Sequence, residues 1–125
     1  MKRFSEKYII TKDIEWEALG GGVSRKFLGY DNQIMMVKVK FDKGALGAPH
    51  QHFHTQATYC VSGKFEFEID RVKKVIEAGD GVYIEPNLLH SAVCLEEGML
   101  IDTFSPVRED FLTGDGVSYF RDKQS

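Results

Sequence analysis

Gly44-Ala45-Leu46-Gly47-Ala48-Pro49-His50-Gln51-His52-Phe53-His54-Thr55-Gln56-Ala57-Thr58-Tyr59-Cys60-Val61-Ser62-Gly63 carries three of the chain's four histidines. Side chains at i and i+2 of an extended strand leave it on the same side. His50 and His52 on a strand can therefore reach one ion together. Such a pair is not yet a site, because a metal cage takes a third and fourth ligand from elsewhere in the chain. An H-x-H run alone equally suits two ordinary strand histidines, so its surroundings decide. Gln56 follows closely, and the fourth histidine, His90, comes much later.

Outward from this stretch the dominant period is two. Lys64-Phe65-Glu66-Phe67-Glu68-Ile69-Asp70 puts Phe65, Phe67 and Ile69 on one face and charges on the other, as a half-buried strand does. Met35-Met36-Val37-Lys38-Val39-Lys40-Phe41 alternates likewise. Further strands are expected over Gly22–Tyr30, Ala57–Val61, Val72–Glu77, Gly81–Glu85, His90–Leu95 and Met99–Phe104. Turn signals separate them: Asp31-Asn32, Asp42-Lys43-Gly44, Ser62-Gly63, Ala78-Gly79-Asp80, Glu96-Glu97-Gly98 and Ser105-Pro106. Many short strands at this spacing predict an antiparallel sandwich or barrel. Glu109–Leu112 can form one helical turn after Pro106, whereas Lys12–Leu19 reads as strand or helix. There is no repeat and no internal linker, so one domain over 1–125 is expected, with a barrel core near 33–105. The ends, Met1–Lys7 and 114–125, read as short arms, and an N-terminal arm that adds a strand to a partner would make a homodimer.

Composition narrows the function. The 125 residues carry a net charge of −3, with a pI near 5.8. Lysines alternate with acids rather than forming the basic face a nucleic-acid binder needs, so no nucleic-acid partner is expected. The start, Met1-Lys2-Arg3-Phe4-Ser5-Glu6-Lys7, lacks the apolar run of a signal peptide. No stretch approaches the ~18 apolar residues of a membrane span. Cys60 and Cys94 fall within strand-like runs with no ligand spacing, and read as buried free thiols. A cytoplasmic protein away from membranes is the expectation.

The run Gly44, His50-x-His52, Gln56, Gly63 and the later run Gly79, Glu85-Pro86-Asn87, His90 resemble the two signature motifs of the cupin superfamily, G-x5-H-x-H-x3,4-E-x6-G and G-x5-P-x-G-x2-H. The resemblance implies an all-β, single-domain cupin jelly-roll barrel. It also implies one divalent metal ion held by His50, His52, Gln56 and His90. Gln56 stands where most cupins have glutamate, and offers a neutral carbonyl oxygen. No charged protein ligand would then remain, leaving the ion a stronger Lewis acid and attractive to anions. Asn87 replaces the motif's glycine and Glu85 a more usual proline; asparagine tolerates the left-handed conformation a glycine would adopt there. His54 can extend the cluster, line the pocket or end the strand.

A narrower resemblance covers about Lys12 to Leu112. Trp16-Glu17, Gly22-Val23, Arg25, Leu28-Gly29-Tyr30, the histidine run, Gly63-Lys64-Phe65-Glu66-Phe67, Gly79-Asp80 and Tyr83-Ile84 occur in order. Asp102-Thr103-Phe104-Ser105-Pro106-Val107-Arg108-Glu109-Asp110-Phe111 closes the series. Together these are similar to the KdgF family of small cupins. That family acts in pectin and alginate breakdown, converting 4,5-unsaturated monouronates to linear keto sugars. The partner implied is a small anionic sugar.

Ring opening of such a sugar needs an electrophile at the ring oxygen and a proton-transfer group. Alternation puts Asp102 on one face with Leu100 and Phe104, so this carboxylate faces inward, where it is costly unless paired or used. A hydrogen-bonded strand carboxylate and a proton carrier are both open for it. The resemblance makes Arg108 a fork for the sugar carboxylate, and Arg25, Phe104 and His54 candidate substrate contacts. Two rivals stand: a non-catalytic metal- or sugar-acid-binding cupin, and a cupin oxygenase. The N/O ligand set suits nickel, iron, manganese, zinc or cobalt alike.

Overall fold

The alternating runs pair into one strongly curved antiparallel sheet. The computed structural model describes residues 3–113, so the expected C-terminal arm lies outside the described residues. A 3-10 turn, Thr11–Asp13, precedes β1 (Glu17–Gly20), which settles the ambiguous Lys12–Leu19 stretch. Then come β2 (Val23–Tyr30), β3 (Met35–Phe41), β4 (Leu46–His50), β5 (Thr55–Ile69), β6 (Val72–Glu77), β7 (Gly81–Ile84) and β8 (His90–Ser105), with a short helix α1 (Glu109–Thr113) at the end. Among the described residues no helix is long and apolar enough to cross a membrane.

Two strands are far longer than the sequence predicts. β5 fuses the Ala57–Val61 and Lys64–Asp70 runs, and β8 fuses His90–Leu95 with Met99–Phe104. Ser62-Gly63 and Glu96-Glu97-Gly98, expected as turns, are irregularities inside the β5–β8 ladder, whose register shifts between Cys60 and Phe65. Gly63 has φ +84°, and a Cβ there would stand 2.6 Å from the Glu97 carbonyl oxygen and the Gly98 Cα. A Cβ on Gly98 would in turn collide with the Ser62 carbonyl. Without side chains at this crossing the two backbones bend together and stay paired.

That bend builds the architecture. The first half of β5 pairs with β7 and the second half of β8; the second half of β5 pairs with β6 and the first half of β8. β3 continues the sheet from the second half of β8, and β4 from the first. The result is a jelly roll of two layers, β1-β2-β3-β8-β5-β7 and β4-β8-β5-β6, sharing their two long strands. Inward residues from both layers form one apolar cluster, including Met35, Val37, Val39 and Phe41 of β3 and Phe65 and Phe67 of β5. Phe41 and Phe65 meet edge to face at 5.2 Å, a favoured aromatic geometry.

The described part of the N-terminal arm lies on its own barrel. Ser5 donates its N–H to the Tyr30 carbonyl, and its hydroxyl oxygen accepts from the Tyr30 N–H. The Lys26 and Lys40 ammoniums sit 4.7 and 4.4 Å from the Trp16 ring centroid, close enough for cation–π attraction. Cys60 and Cys94 are buried free thiols.

Candidate metal centre

β4 stops at His50, and His52 lies in the loop before β5. The two histidines therefore do not share a strand, contrary to the expectation from their spacing. Pro49 has no N–H for the ladder, and the β4–β8 register slips between Gly47 and His50, so the strand ends and the loop, not the pleat, brings His52 round. His50 and His90 are cross-strand partners at the end of β4 and the start of β8. Ligand atoms of His50, His52 and His90 all lie within 4.8 Å of one another.

The three rings are oriented alike. His50 donates Nδ1–H to the Ala48 carbonyl at 3.0 Å, His52 to that of His54 at 3.1 Å, and His90 to that of Leu88 at 2.9 Å. A carbonyl only accepts, so in each ring the proton is on Nδ1 and the lone pair on Nε2. This is how backbone carbonyls orient metal-ligating imidazoles. The Nε2 of His90 is buried with no hydrogen-bond partner among the described residues, an orphan of the kind a bound ion explains. Burial, then the neighbouring His90 charge, lowers the His50 pKa to about 3. Burial, then the charges of His52 and Arg108, lowers that of His90 to about 4. Burial and the Arg108 charge lower His52 as well. All three rings are thus neutral, ligand-competent imidazoles at neutral pH.

Gln56 approaches from the opposite layer. On β5, Gln56, Thr58 and Cys60 alternate inward. Gln56 Oε1 stands 3.1 Å from His52 Nε2. With the His52 proton on Nδ1, these two atoms are both acceptors, and they repel unless a cation serves both. The Gln56 amide N–H donates the other way, to Thr58 Oγ1 at 3.0 Å, and the Thr58 hydroxyl donates to Asp102 Oδ1 at 2.7 Å. Three imidazole nitrogens and one amide oxygen therefore converge, and this donor set fits a divalent transition-metal ion. Beside it, His50, Gln56, His90 and Asp102 border a cavity of about 20 Å³ also lined by Phe41, Phe67 and Leu100, room for one water.

The remaining predicted residues form an outer ring. Asp102 and Phe104 are buried on the inner face of β8 with Leu100, as alternation predicts. Phe104 meets the His52 ring edge to face at 5.8 Å. The Arg108 guanidinium lies over Phe104 at 5.2 Å and Phe111 at 4.3 Å, and grips Asp110 through Nε and Nη2 at 3.1 and 2.8 Å. It shares Phe104 with His52 and so lies beside the cluster, and its charge helps lower the pKa of all four histidines. Burial alone would raise the Asp110 carboxyl, but the Arg108 fork more than offsets this and holds it below its usual range. His54 is buried and gives Nε2–H to the Val107 carbonyl at 3.2 Å; it ties the histidine loop to the C-terminal segment and stands outside the three-histidine cluster. Arg25 pairs with Glu17 at 2.9 Å and stacks on Phe111 at 4.5 Å, so two buried guanidiniums contact the same ring.

The cupin-domain profile matches residues 37–103, the span that supplies all four converging residues. The pectin degradation protein KdgF of Dickeya dadantii (strain 3937) is 45% identical over 108 residues, covering 85% of this chain and 98% of that protein. The chain is a cupin of the KdgF family. The structure of KdgF from Halomonas sp. matches this cupin with a TM-score of 0.82 at 38% identity, over 86% of this chain and 99% of that one. An RmlC-like cupin from Shewanella frigidimarina NCIMB 400 matches with a TM-score of 0.86 at 46% identity, over 88% and 99%. Oxalate decarboxylase of Bacillus subtilis, at 18% identity and a TM-score of 0.68 over 76% of this chain and 28% of that one, shares the fold alone.

Two residues of this cupin's site escaped the sequence reading. Thr58 looks like any threonine in a strand, and its role depends on Asp102 being its cross-strand partner on β8. Phe111 reads as the apolar side of a helical turn; only the fold reveals that two arginines stack on it. Nothing in local sequence marks Thr58, whereas Phe111 closes the Asp102–Phe111 run that carries the family resemblance without revealing what it touches.

Proposed function

We propose that this cupin holds one divalent ion on His50, His52, Gln56 and His90 and linearises 4,5-unsaturated monouronates released in pectin breakdown. The observation that carries this reading is a neutral ligand set tied by hydrogen bonds to one buried carboxylate, Asp102, with a buried arginine, Arg108, beside it. The similarity to a pectin degradation protein supports the substrate class.

The reaction rearranges bonds without adding or removing atoms. The C1 hydroxyl loses its proton, the bond from C1 to the ring oxygen breaks, and C1 becomes an aldehyde. The freed oxygen stays on C5 as an enolate, its electrons shared with C4 through the C4=C5 double bond. Protonation at C4 then leaves a ketone at C5. When bound, the ion supplies Lewis acidity toward a sugar oxygen, undiminished by any carboxylate ligand. Asp102 is the group that moves the proton, since it is the carboxylate bordering the site's inner cavity. Arg108 holds the sugar carboxylate; Asp110 fixes the plane of its guanidinium, and Phe104 and Phe111 support its faces. Phe104 lies against both His52 and Arg108 and so walls the sugar between ion and fork.

The test is to add metal-loaded protein to unsaturated galacturonate and follow the ultraviolet absorbance of the conjugated alkene. Absorbance should decay much faster than without protein, and equally fast without oxygen. Asp102→Asn should keep its metal and lose about 10²- to 10⁴-fold in rate, the usual contribution of a positioned acid–base group. No acceleration by protein carrying one ion per chain would overturn the proposal.

A further inference from the structure

We infer that Thr58 is the positioning residue of the metal site, fixing the Gln56 amide with its oxygen toward the ion by linking it to Asp102. The inference rests on Gln56 being a ligand, as proposed above. An amide can sit in its site two ways round, with oxygen or nitrogen inward, and the two ends differ by one atom. What selects between them here is a one-way chain of donors. The Thr58 hydroxyl gives its single proton to Asp102 Oδ1 at 2.7 Å. Thr58 Oγ1 then has only lone pairs for Gln56, which must present N–H at 3.0 Å. The amide oxygen is thereby turned to the histidines, 3.1 Å from His52 Nε2. Gln56, Thr58 and Asp102 are all buried, so bulk water does not compete, and bonds in such a chain strengthen one another.

Register makes the chain possible. Thr58 stands opposite Asp102, and Gln56 opposite Phe104, on neighbouring inward positions of β5 and β8. The same logic accounts for the glutamine. A glutamate at 56 would have no proton to offer, so its second oxygen would face Thr58 Oγ1 acceptor to acceptor. One hydroxyl proton cannot serve two carboxylates at once. Thr58 thus ties the amide at 56 to the acid at 102, and the neutrality of the ligand set follows from the partner behind it.

The test measures metal affinity rather than turnover. Metal-stripped wild type, Thr58→Val, Thr58→Ser and Gln56→Ala are titrated with Co²⁺, reading the dissociation constant and the visible ligand-field spectrum; circular dichroism checks folding. Thr58→Val should weaken binding about 10- to 100-fold, the usual effect of removing an outer-shell partner, and change the spectrum. Thr58→Ser keeps the hydroxyl and should restore both. Thr58→Ala replaces Thr58→Val if that variant does not fold. Wild-type affinity and spectrum in the hydroxyl-free variant, alongside weakened Gln56→Ala, would overturn the role of Thr58. Unchanged affinity in Gln56→Ala would instead overturn Gln56 as a ligand.

Discussion

His50, His52 and His90 give up the same nitrogen to the backbone and keep the same one for the ion. Their lowered pKa values have a consequence for the metal-free protein. An unfolded histidine takes up a proton near its ordinary value of 6.5, whereas His90 resists until about 4 and His50 until about 3. Between these limits the unfolded chain binds more protons than the folded one, so stability rises with pH across the window and falls on acidification below 6.5. Urea unfolding of metal-free protein should show a loss on the order of 3–4 kcal/mol from about pH 7 to about pH 5, about 2 kcal/mol for each of the two histidines, and His90→Gln should roughly halve it. Burial also raises both cysteine thiols, so a thiol reagent should label neither until the protein unfolds. At this scale the sequence was informative about which residues converge, because ligand type and spacing are local. It was silent on how they are aimed. The carbonyls of Ala48, His54 and Leu88 and the hydroxyl of Thr58 act through conformation and cross-strand register, which carry no residue signature.

Strands show where sequence reading falters. Alternation located nearly every paired run, yet β5 and β8 were each divided in two. Gly63 and Gly98 have the composition of turns because both turns and close crossings of two backbones need glycine. Only the partner strand distinguishes them. Gly63→Ala should therefore destabilise by on the order of 3 kcal/mol or more, since it meets both a positive φ and the Glu97 backbone. Gly44→Ala is the control: its φ is +86° but nothing lies within 4 Å, so only about 1 kcal/mol of backbone strain is expected. Equilibrium urea unfolding separates the two. The H-x-H spacing misled in the opposite sense, suggesting one strand where Pro49 ends β4 and a loop delivers His52.

Across the whole molecule, the site closes the barrel. His50 ends β4, His90 opens β8, Gln56 opens β5 from the other layer, and Asp102 lies near the far end of β8. An ion bound by these residues clamps both layers and has no equivalent site in the unfolded chain. Binding should therefore stabilise the fold by about 2.7 kcal/mol at a free metal concentration a hundred times the dissociation constant. A chelator should lower Tm correspondingly. The most direct measurement of the central claim is metal content by mass spectrometry after loading with a slight excess of Ni²⁺ and dialysis to remove unbound ion. The account predicts one ion per chain in the wild type, and loss of that ion in His50→Ala, His52→Ala and His90→Ala variants that remain folded. A wild type that binds no ion, or a folded His90→Ala that binds it as tightly as wild type, would contradict it.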